Sequence, residues 1–455
     1  MYLKTLIKKS IHCNYLSLMC MLNRLKNKLI ANDFLKSLAV LMTGTLIAQI
    51  IGYLLAPIIT RLYTPAEMGE FGMFQRVAVL IATIATARYE YALPLPKKDH
   101  HASMLFRFAL KIVMVTISIC LLLGLTYGAM NGKGVDYFQV IFLLIIVVLS
   151  LSFFNLGTNW SIRKKYFQKI SMAKMTQSIT LNGLRVVFGL FKAGSFGLIV
   201  AYTISFLISS IYFLKDFLSF KSGINSKISK LRTKVISKRY KDFPLANLPL
   251  ALSDYIRDVL VAIILIEFFS ESLFGAFDHS YRMLRIPVML IGASLSHVFF
   301  SRISSFKTEG KLIYPLFRKV LISLSLLSIL PFLVIYFFGA PLFAFVFGAE
   351  WRFSGELSEI MAPWLMLNFI VSPLSTIPLV FDKQKAYLII GLIGSLLQIL
   401  GFVLIPVALG HQESNVVIMF HCVTWAQVFM AAVTIYFLFG IVKKHDLVIS
   451  NNKEQ

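Results

Sequence analysis

Asp278, Arg282 and Arg285 stand at i, i+4 and i+7 within an apolar run, a spacing that sets three side chains on one face of a helix. Asp254, Arg257 and Asp258 share a face in the apolar run before it, and Lys174, Ser178, Asn182 and Arg185 lie along one stripe of another. Arg76 stands about as deep in a fourth. An ionised residue at mid-bilayer costs about 2.5–3.5 kcal/mol on insertion scales, so it faces water, a partner or a ligand. A guanidinium meets phosphate oxygens with a planar fork, and a low dielectric strengthens the contact. The chemistry indicated is the binding of an anion, with Arg76, Lys174, Arg185, Arg257, Arg282 and Arg285 as candidate binding residues. Asp254, Asp258 and Asp278 share helical faces with those cations and are candidates for coupling to a proton or a sodium ion. No catalytic residue is assigned.

The plain alternative is internal ion pairing. Asp254 with Arg257, and Asp278 with Arg282, have the spacing to neutralise each other within their helices. That leaves Arg76, Arg185 and Arg285 without a partner among their sequence neighbours, which favours a net cationic cavity. Arg107, Lys111, Arg318 and Lys319 lie a turn or two from a span end and can snorkel to the headgroups, while Arg88 and Glu90 can pair locally.

The elements that position these groups are membrane helices. The 455 residues are 58% hydrophobic and only 15% charged, with 40 Phe, against about 25% charged in a soluble domain. This excludes a soluble enzyme, a nucleic-acid-binding domain and a disordered chain. A span needs roughly 20 apolar residues, and the sequence offers twelve: 37–60, 66–88, 104–127, 137–160, 170–191, 194–216, 245–268, 273–299, 313–338, 356–380, 386–408 and 415–440. The fold class expected is an all-α integral membrane protein.

The charge of +24 is mainly a topology signal. With the N-terminus inside, Lys and Arg concentrate in the inner connections and tails, while the outer connections hold Arg61, Lys133, Lys192 and Arg352. Positive residues stay on the cytoplasmic side, so both termini are expected there, and nucleic acid is not a partner. The basic connection 217–244, with Lys221, Lys227, Lys230, Arg232, Lys234, Lys238, Arg239 and Lys241, divides the spans six and six. The expected parts are a basic segment 1–36, an N-lobe 37–216, the linker 217–244, a C-lobe 245–440 and a cytoplasmic tail 441–455. Gly69, Phe71 and Arg76 recur as Gly275, Phe277 and Arg282, an offset of 206. An even number of spans per lobe gives both the same orientation, which predicts a pseudo-two-fold axis along the membrane normal and a central cavity between lobes.

No other chemistry competes strongly. Gly132-Lys133 lacks the earlier glycine of a P-loop. The longest outer connection, 339–355, is short for a membrane glycosyltransferase or polymerase, and Glu350 and Glu356 near it read as solvated carboxylates. Cys13, Cys20, Cys120 and Cys422 have neither disulfide nor metal spacing, so no metal and no cofactor is expected. The N-terminus lacks a cleavable-signal pattern, and Met21 offers a second start. Gly44, Gly52 and Gly292 are expected to allow close helix contacts.

The stretch from Arg61 through LYTPAEMGEFGMFQ, followed by ATARYEYALPLP (85–96), resembles the first-loop and second-span pattern of Wzx-type O-antigen flippases. These are polysaccharide transporters of the multidrug/oligosaccharidyl-lipid/polysaccharide superfamily. YKDFPLANLPLAL (240–252), YRMLRIPVMLIGASLSHVFFSRIS (281–304) and FGAEWRFSGELSEIMAPWLM (347–366) resemble it too, the last with Gly348, Trp351, Gly355 and Pro363. The resemblance spans nearly the whole chain. It implies a non-enzymatic, alternating-access flippase of the bacterial inner membrane, driven by an ion gradient. The cargo implied is an undecaprenyl-diphosphate-linked oligosaccharide. Membrane lipids, a polysaccharide polymerase and a chain-length regulator are the implied partners. The resemblance assigns no binding residue; from their chemistry Arg76, Arg282 and Arg285 are expected to capture that diphosphate, and Asp254, Asp258 or Asp278 to exchange an ion as the lobes rock.

Three rivals stay open. A multidrug exporter of the related branch predicts an acidic cavity, a polymerase predicts large outer loops, and a flippase for a capsule, exopolysaccharide or common-antigen unit is hardly separable by sequence.

Overall fold

The computed structural model describes residues 33–219, 233, 235–410 and 412–454. Most of the basic tail with Met21, Cys13 and Cys20, and the linker cations Lys221, Lys227, Lys230, Arg232 and Lys234, lie outside the described residues.

Among the described residues the chain forms helices and no strand. Twelve helices have 21 residues or more. They are α1 (Asp33–Leu62), α2 (Pro65–Thr86), α3 (Asp99–Met130), α4 (Val135–Arg163), α5 (Phe167–Leu190), α6 (Gly194–Ser219), α7 (Leu248–Phe268), α8 (Glu271–Thr308), α9 (Tyr314–Phe347), α10 (Arg352–Leu374), α11 (Gln384–Leu409) and α12 (Glu413–Glu454). Each overlaps one predicted span. By length and composition, 9 of the described helical stretches are apolar enough to cross a membrane. The three long helices that fall short are α5, α7 and α8, which carry Lys174 and Arg185, Asp254 to Asp258, and Asp278 to Arg285. The candidate site residues contribute to that polarity, together with others such as Lys169 and Gln177 on α5 and His279 and Arg302 on α8.

The helix ends follow local chemistry. Thr64-Pro65-Ala66-Glu67 forms a capping box: Thr64 Oγ1 accepts from the Glu67 amide at 3.3 Å and Glu67 Oε2 from the Thr64 amide at 2.8 Å. Ser270, which is Thr64 displaced by the same 206 residues, caps α8 by accepting from the Leu273 amide at 3.1 Å. The α9 start is held by Asp446 of α12, whose carboxylate accepts from the amides of Ile313 and Tyr314 at 2.9 and 2.8 Å. In the last third of α9 the backbone kinks at Phe338, between Pro331 and Pro341. Glu359 Oε1 accepts the Ala340 amide there at 2.7 Å, supplying an acceptor where the helical ladder is broken.

Two compact units divide the described chain, with boundaries inside α1, α2, α5 and α6. One unit comprises residues up to Leu55, Ala85–Leu184 and Ala201–Leu245. Its core sets Phe106 edge-on to Trp160 and Phe153, with Leu105 and Leu156 buried beside them. Here α5 lies on α1: a Cβ on Gly44 would sit 1.5 Å from Ser171 Oγ, and one on Gly52 3.8 Å from Asn182 Nδ2.

The other unit comprises Ala56–Ile84, Arg185–Val200 and Ala246–Gln455. Within it α10 packs against α8, α9 and α12, and α11 against α7 and α12. Small residues set the spacing. Ser280 Oγ donates to Ser354 O at 2.5 Å while Ser354 Oγ donates to Ala276 O at 3.0 Å. A Cβ on Gly292 would lie 2.5 Å from Ser372 Oγ. The first turns of α2 and α8 cross at their repeat glycines: a Cβ on Gly69 would fall 2.2 Å from Glu271 O, and one on Gly275 1.8 Å from Pro65 O. Trp351, fully buried, donates its indole N–H to Thr60 O at 2.7 Å. These contacts account for residues 56–84 belonging with the C-terminal half.

Candidate functional site

The α2–α8 crossing sets the register of the site. Arg76 and Arg282 each follow their crossing glycine by seven residues, two helical turns, so both arrive on the facing sides. Asp278 lies between them. Its Oδ1 accepts from Arg76 Nη2 at 2.6 Å and its Oδ2 from Arg282 Nη2 at 2.6 Å. The Arg76 guanidinium also covers the Phe274 ring at 4.6 Å, and Arg282 Nη2 donates to Gln75 Oε1 at 3.3 Å. Charge-assisted bonds of this length in a buried setting are strong, and the carboxylate depends on them, because a buried charge left alone is costly.

On α7, Arg257 gathers its own carboxylates: Asp258 at 2.9 Å and Asp254 at 3.3 Å, with a further bond to Ser395 Oγ at 3.1 Å. Arg285 differs. Its guanidinium lies over the Tyr281 ring at 5.2 Å, and it has no carboxylate partner among the described residues.

Two cavities meet here, both within the second unit. The smaller, about 270 Å³, is lined by Gln75, Arg76, Asp258, Asp278, Arg282 and Arg285, with Tyr255 and Tyr281. The larger, about 380 Å³, extends among α7, α8, α10, α11 and α12, and Tyr281 and Arg285 line both. The smaller cavity sets three arginines against two carboxylates, one of which, Asp258, is already paired with Arg257.

Of the six candidate cations, four (Arg76, Arg257, Arg282 and Arg285) line these cavities. Arg76, which has no partner among its sequence neighbours, proves to be ion-paired to Asp278 across 202 residues of chain. Sequence distance hid that pair; the helix crossing creates it. Lys174 belongs to the other unit, where its Nζ donates to Thr45 Oγ1 at 3.3 Å. Ser178 donates to Ala48 O at 2.5 Å and Asn182 to Ser178 O at 2.8 Å, so this stretch of the α5 stripe is engaged with α1. Arg185 lies in the second unit, stacked over Phe71 at 4.8 Å, and its carbonyl accepts the Tyr63 hydroxyl at 2.8 Å. Among the carboxylates, Asp278 has both oxygens engaged by guanidinium groups, Asp258 lines the smaller cavity, and the Asp254 side chain is exposed. The intrahelical pairs Asp254–Arg257 and Asp278–Arg282 are both formed.

Apart from Arg257 and Arg285, the larger cavity's lining was not singled out from sequence. Trp364 and Asn368 on α10, Tyr387 and Gln398 on α11, and Gln427 on α12 come from three separate spans. The amides were findable by the same test that isolates the arginines, a polar group inside an apolar run. The aromatic residues carried no such signal among so many.

Residues 58–355 match the protein family described as Polysaccharide biosynthesis protein. No match was found among curated protein sequences. Among solved structures, a multidrug resistance MATE family transporter of the MOP superfamily in an inward-facing conformation is similar at 12% identity and a TM-score of 0.65, covering 89% of this chain and 95% of that one. The lipid II flippase MurJ in an inward closed conformation is similar at 14% identity and a TM-score of 0.65, over 90% of each chain. A MOP superfamily transporter from Pyrococcus furiosus is similar at 12% identity and a TM-score of 0.52, over 90% and 96%. At these identities the likeness is one of fold: this chain has the architecture of MOP-superfamily transporters.

Proposed function

The chain belongs to the polysaccharide biosynthesis protein family, and we propose that it is a flippase for an undecaprenyl-diphosphate-linked oligosaccharide such as an O-antigen repeat unit. One observation carries this reading: the smaller cavity, set among helices of a multi-pass membrane protein, holds three arginines against two carboxylates, and Arg285 among them has no carboxylate partner in the described residues. Such a cavity attracts a multiply charged anion and repels a cation. Family membership, and a fold shared with a protein described as a lipid II flippase, support a lipid-linked glycan as that anion's carrier.

On this reading the diphosphate binds Arg285, Arg282 and Arg76, while the polyprenyl chain stays in lipid and the glycan crosses in the cavity. Asp278 holds Arg76 and Arg282 at the spacing seen, as a positioning residue. Asp258 and Asp254, which share Arg257, are the better placed carboxylates for exchanging a proton or sodium ion, since Asp278 has both oxygens taken. Two six-helix lobes, 37–216 and 245–440, rock about the cavity, with both termini cytoplasmic and the protein in the bacterial inner membrane. A polysaccharide polymerase and a chain-length regulator act downstream of it. Transport, not catalysis, is the activity.

The test is complementation of a strain that lacks its own repeat-unit translocase, scoring surface polysaccharide and checking membrane levels of each variant. Wild type is expected to restore polysaccharide and Arg282→Ala plus Arg285→Ala to fail. Equal rescue by both would remove the arginines from the mechanism.

A further inference from the structure

We propose that the larger cavity of the second unit is a sugar-binding subsite, and that it holds the saccharide next to the diphosphate. The inference rests on the flippase reading for the diphosphate and adds a site for the glycan.

Its lining carries the argument. Tyr281, Trp364 and Tyr387 present aromatic surface, and Asn368, Gln398 and Gln427 present amides. A pyranose has an apolar C–H face and a rim of groups that both donate and accept; aromatic rings match the first, and amides, with two donors and an acceptor each, match the second. Gln427 Nε2 is committed to Gly394 O at 2.8 Å, which leaves its carbonyl oxygen as an acceptor. Gln398 is only 7% exposed and Asn368 is partly buried; both line the cavity, and neither amide has a hydrogen-bond partner among the described residues. An amide facing a cavity is normally satisfied by protein, water or ligand, so these two are open to one.

Charge excludes other occupants. No Asp or Glu lines this cavity, so it is not a cation site. Arg257 is already met by Asp254 and Asp258, which leaves Arg285, at the junction with the smaller cavity, as the point where an anion attached to the sugar would sit. At about 380 Å³ the space falls at the small end of ligand pockets, roughly 300–1,000 Å³, room for one or two sugar rings and not a long glycan. The α11 wall is cut flat for it: Gly391, Gly394, Ser395 and Gln398 follow one helical face, and a Cβ on Gly391 would meet no atom within 4 Å. A larger side chain at 391 therefore fills cavity without striking backbone.

The experiment measures equilibrium binding to the full-length protein in lipid nanodiscs. The probes are undecaprenyl diphosphate alone and the same lipid carrying one hexose, one deoxyhexose or one N-acetylhexosamine. Wild type is expected to bind at least one sugar-bearing probe about tenfold more tightly than the bare lipid, a difference of about 1.4 kcal/mol. Gly391→Leu and Gln398→Leu are expected to abolish that gain and leave bare-lipid binding within about twofold. Gly440→Leu, a matched insertion at another glycine with no atom within 4 Å, is expected to keep it. No gain with any sugar in wild type, or a gain retained in both cavity variants, overturns the subsite. Failure of the bare lipid to bind wild type overturns the diphosphate reading, and this inference with it.

Discussion

Asp278 is the residue on which the local geometry turns. It is nearly enclosed, with one oxygen on Arg76 and the other on Arg282, both at 2.6 Å. Removing one member of a buried ion pair leaves an uncompensated charge and costs about 3–5 kcal/mol; here removal leaves two facing guanidinium groups. Asp278→Asn is therefore expected to lower stability in detergent by an amount in that range, whereas Asp254→Asn, at an exposed side chain, is expected to change it by less than about 1 kcal/mol. Equal melting shifts for the two would contradict this. Outside the membrane helices, Glu90 offers a pH prediction. Burial pushes its carboxyl above the usual carboxylate range, opposed by Thr86 and by Arg88, 3.9 Å away. The unfolded chain releases this proton at the ordinary value near 4.5, while the native state holds it to higher pH, so stability falls as pH rises through that window. Melting followed from pH 4.5 upward is expected to show a smaller decline in Glu90→Gln than in wild type. Most of this was legible in part only. Arg282, Arg285 and Arg257 announce themselves as charges in apolar runs, but Arg76–Asp278 joins residues 202 apart, and no periodicity within one helix reveals a partner on another.

At the scale of elements, the repeat has a structural purpose. The glycines that the 206-residue offset relates are the point where α2 and α8 touch backbone to backbone. Ala at either position would place a methyl within 2.2 Å of a carbonyl oxygen, so the helix starts must separate. Gly69→Ala and Gly275→Ala are each expected to destabilise by about 1–3 kcal/mol, the usual cost of overpacking. Gly440→Ala, where nothing stands within 4 Å, is expected to be neutral or slightly stabilising, because Ala favours a helix over Gly. Melting temperatures of the three variants check this, and a Gly69→Ala protein as stable as wild type would contradict it. Separation at the glycines would also shift Arg76 away from Asp278, two turns further along. Nine of the helical stretches among the described residues were readable because apolar runs of membrane length have few other uses. Which face each presents was less so: the Lys174 stripe reads as cavity-lining by its period, yet Ser178 and Asn182 are spent on α1 and on each other. A polar stripe signals a polar neighbour equally well, whether that neighbour is solvent, ligand or another helix.

For the whole molecule, net charge at the site decides between cargoes. The fold is shared with multidrug transporters as well as with a lipid II flippase, so architecture alone does not choose. On the flippase reading the choice falls to the cavity, through Arg285 and the Arg76–Asp278–Arg282 group that line it together. Of the aromatic and amide wall beside it only the amides carried a sequence signal, and that its members share one cavity was not legible, since they come from α8, α10, α11 and α12 and meet only in the folded chain. The most direct measurement of the central claim is binding of undecaprenyl diphosphate to the purified protein in nanodiscs, wild type against Arg285→Ala, at two salt concentrations, with a lipophilic cation as the second ligand. Wild type is expected to bind the diphosphate lipid and not the cation, added salt to weaken binding, and Arg285→Ala to lose about tenfold or more, at least 1.4 kcal/mol. Preference for the cation, or equal diphosphate binding by both proteins, would contradict it.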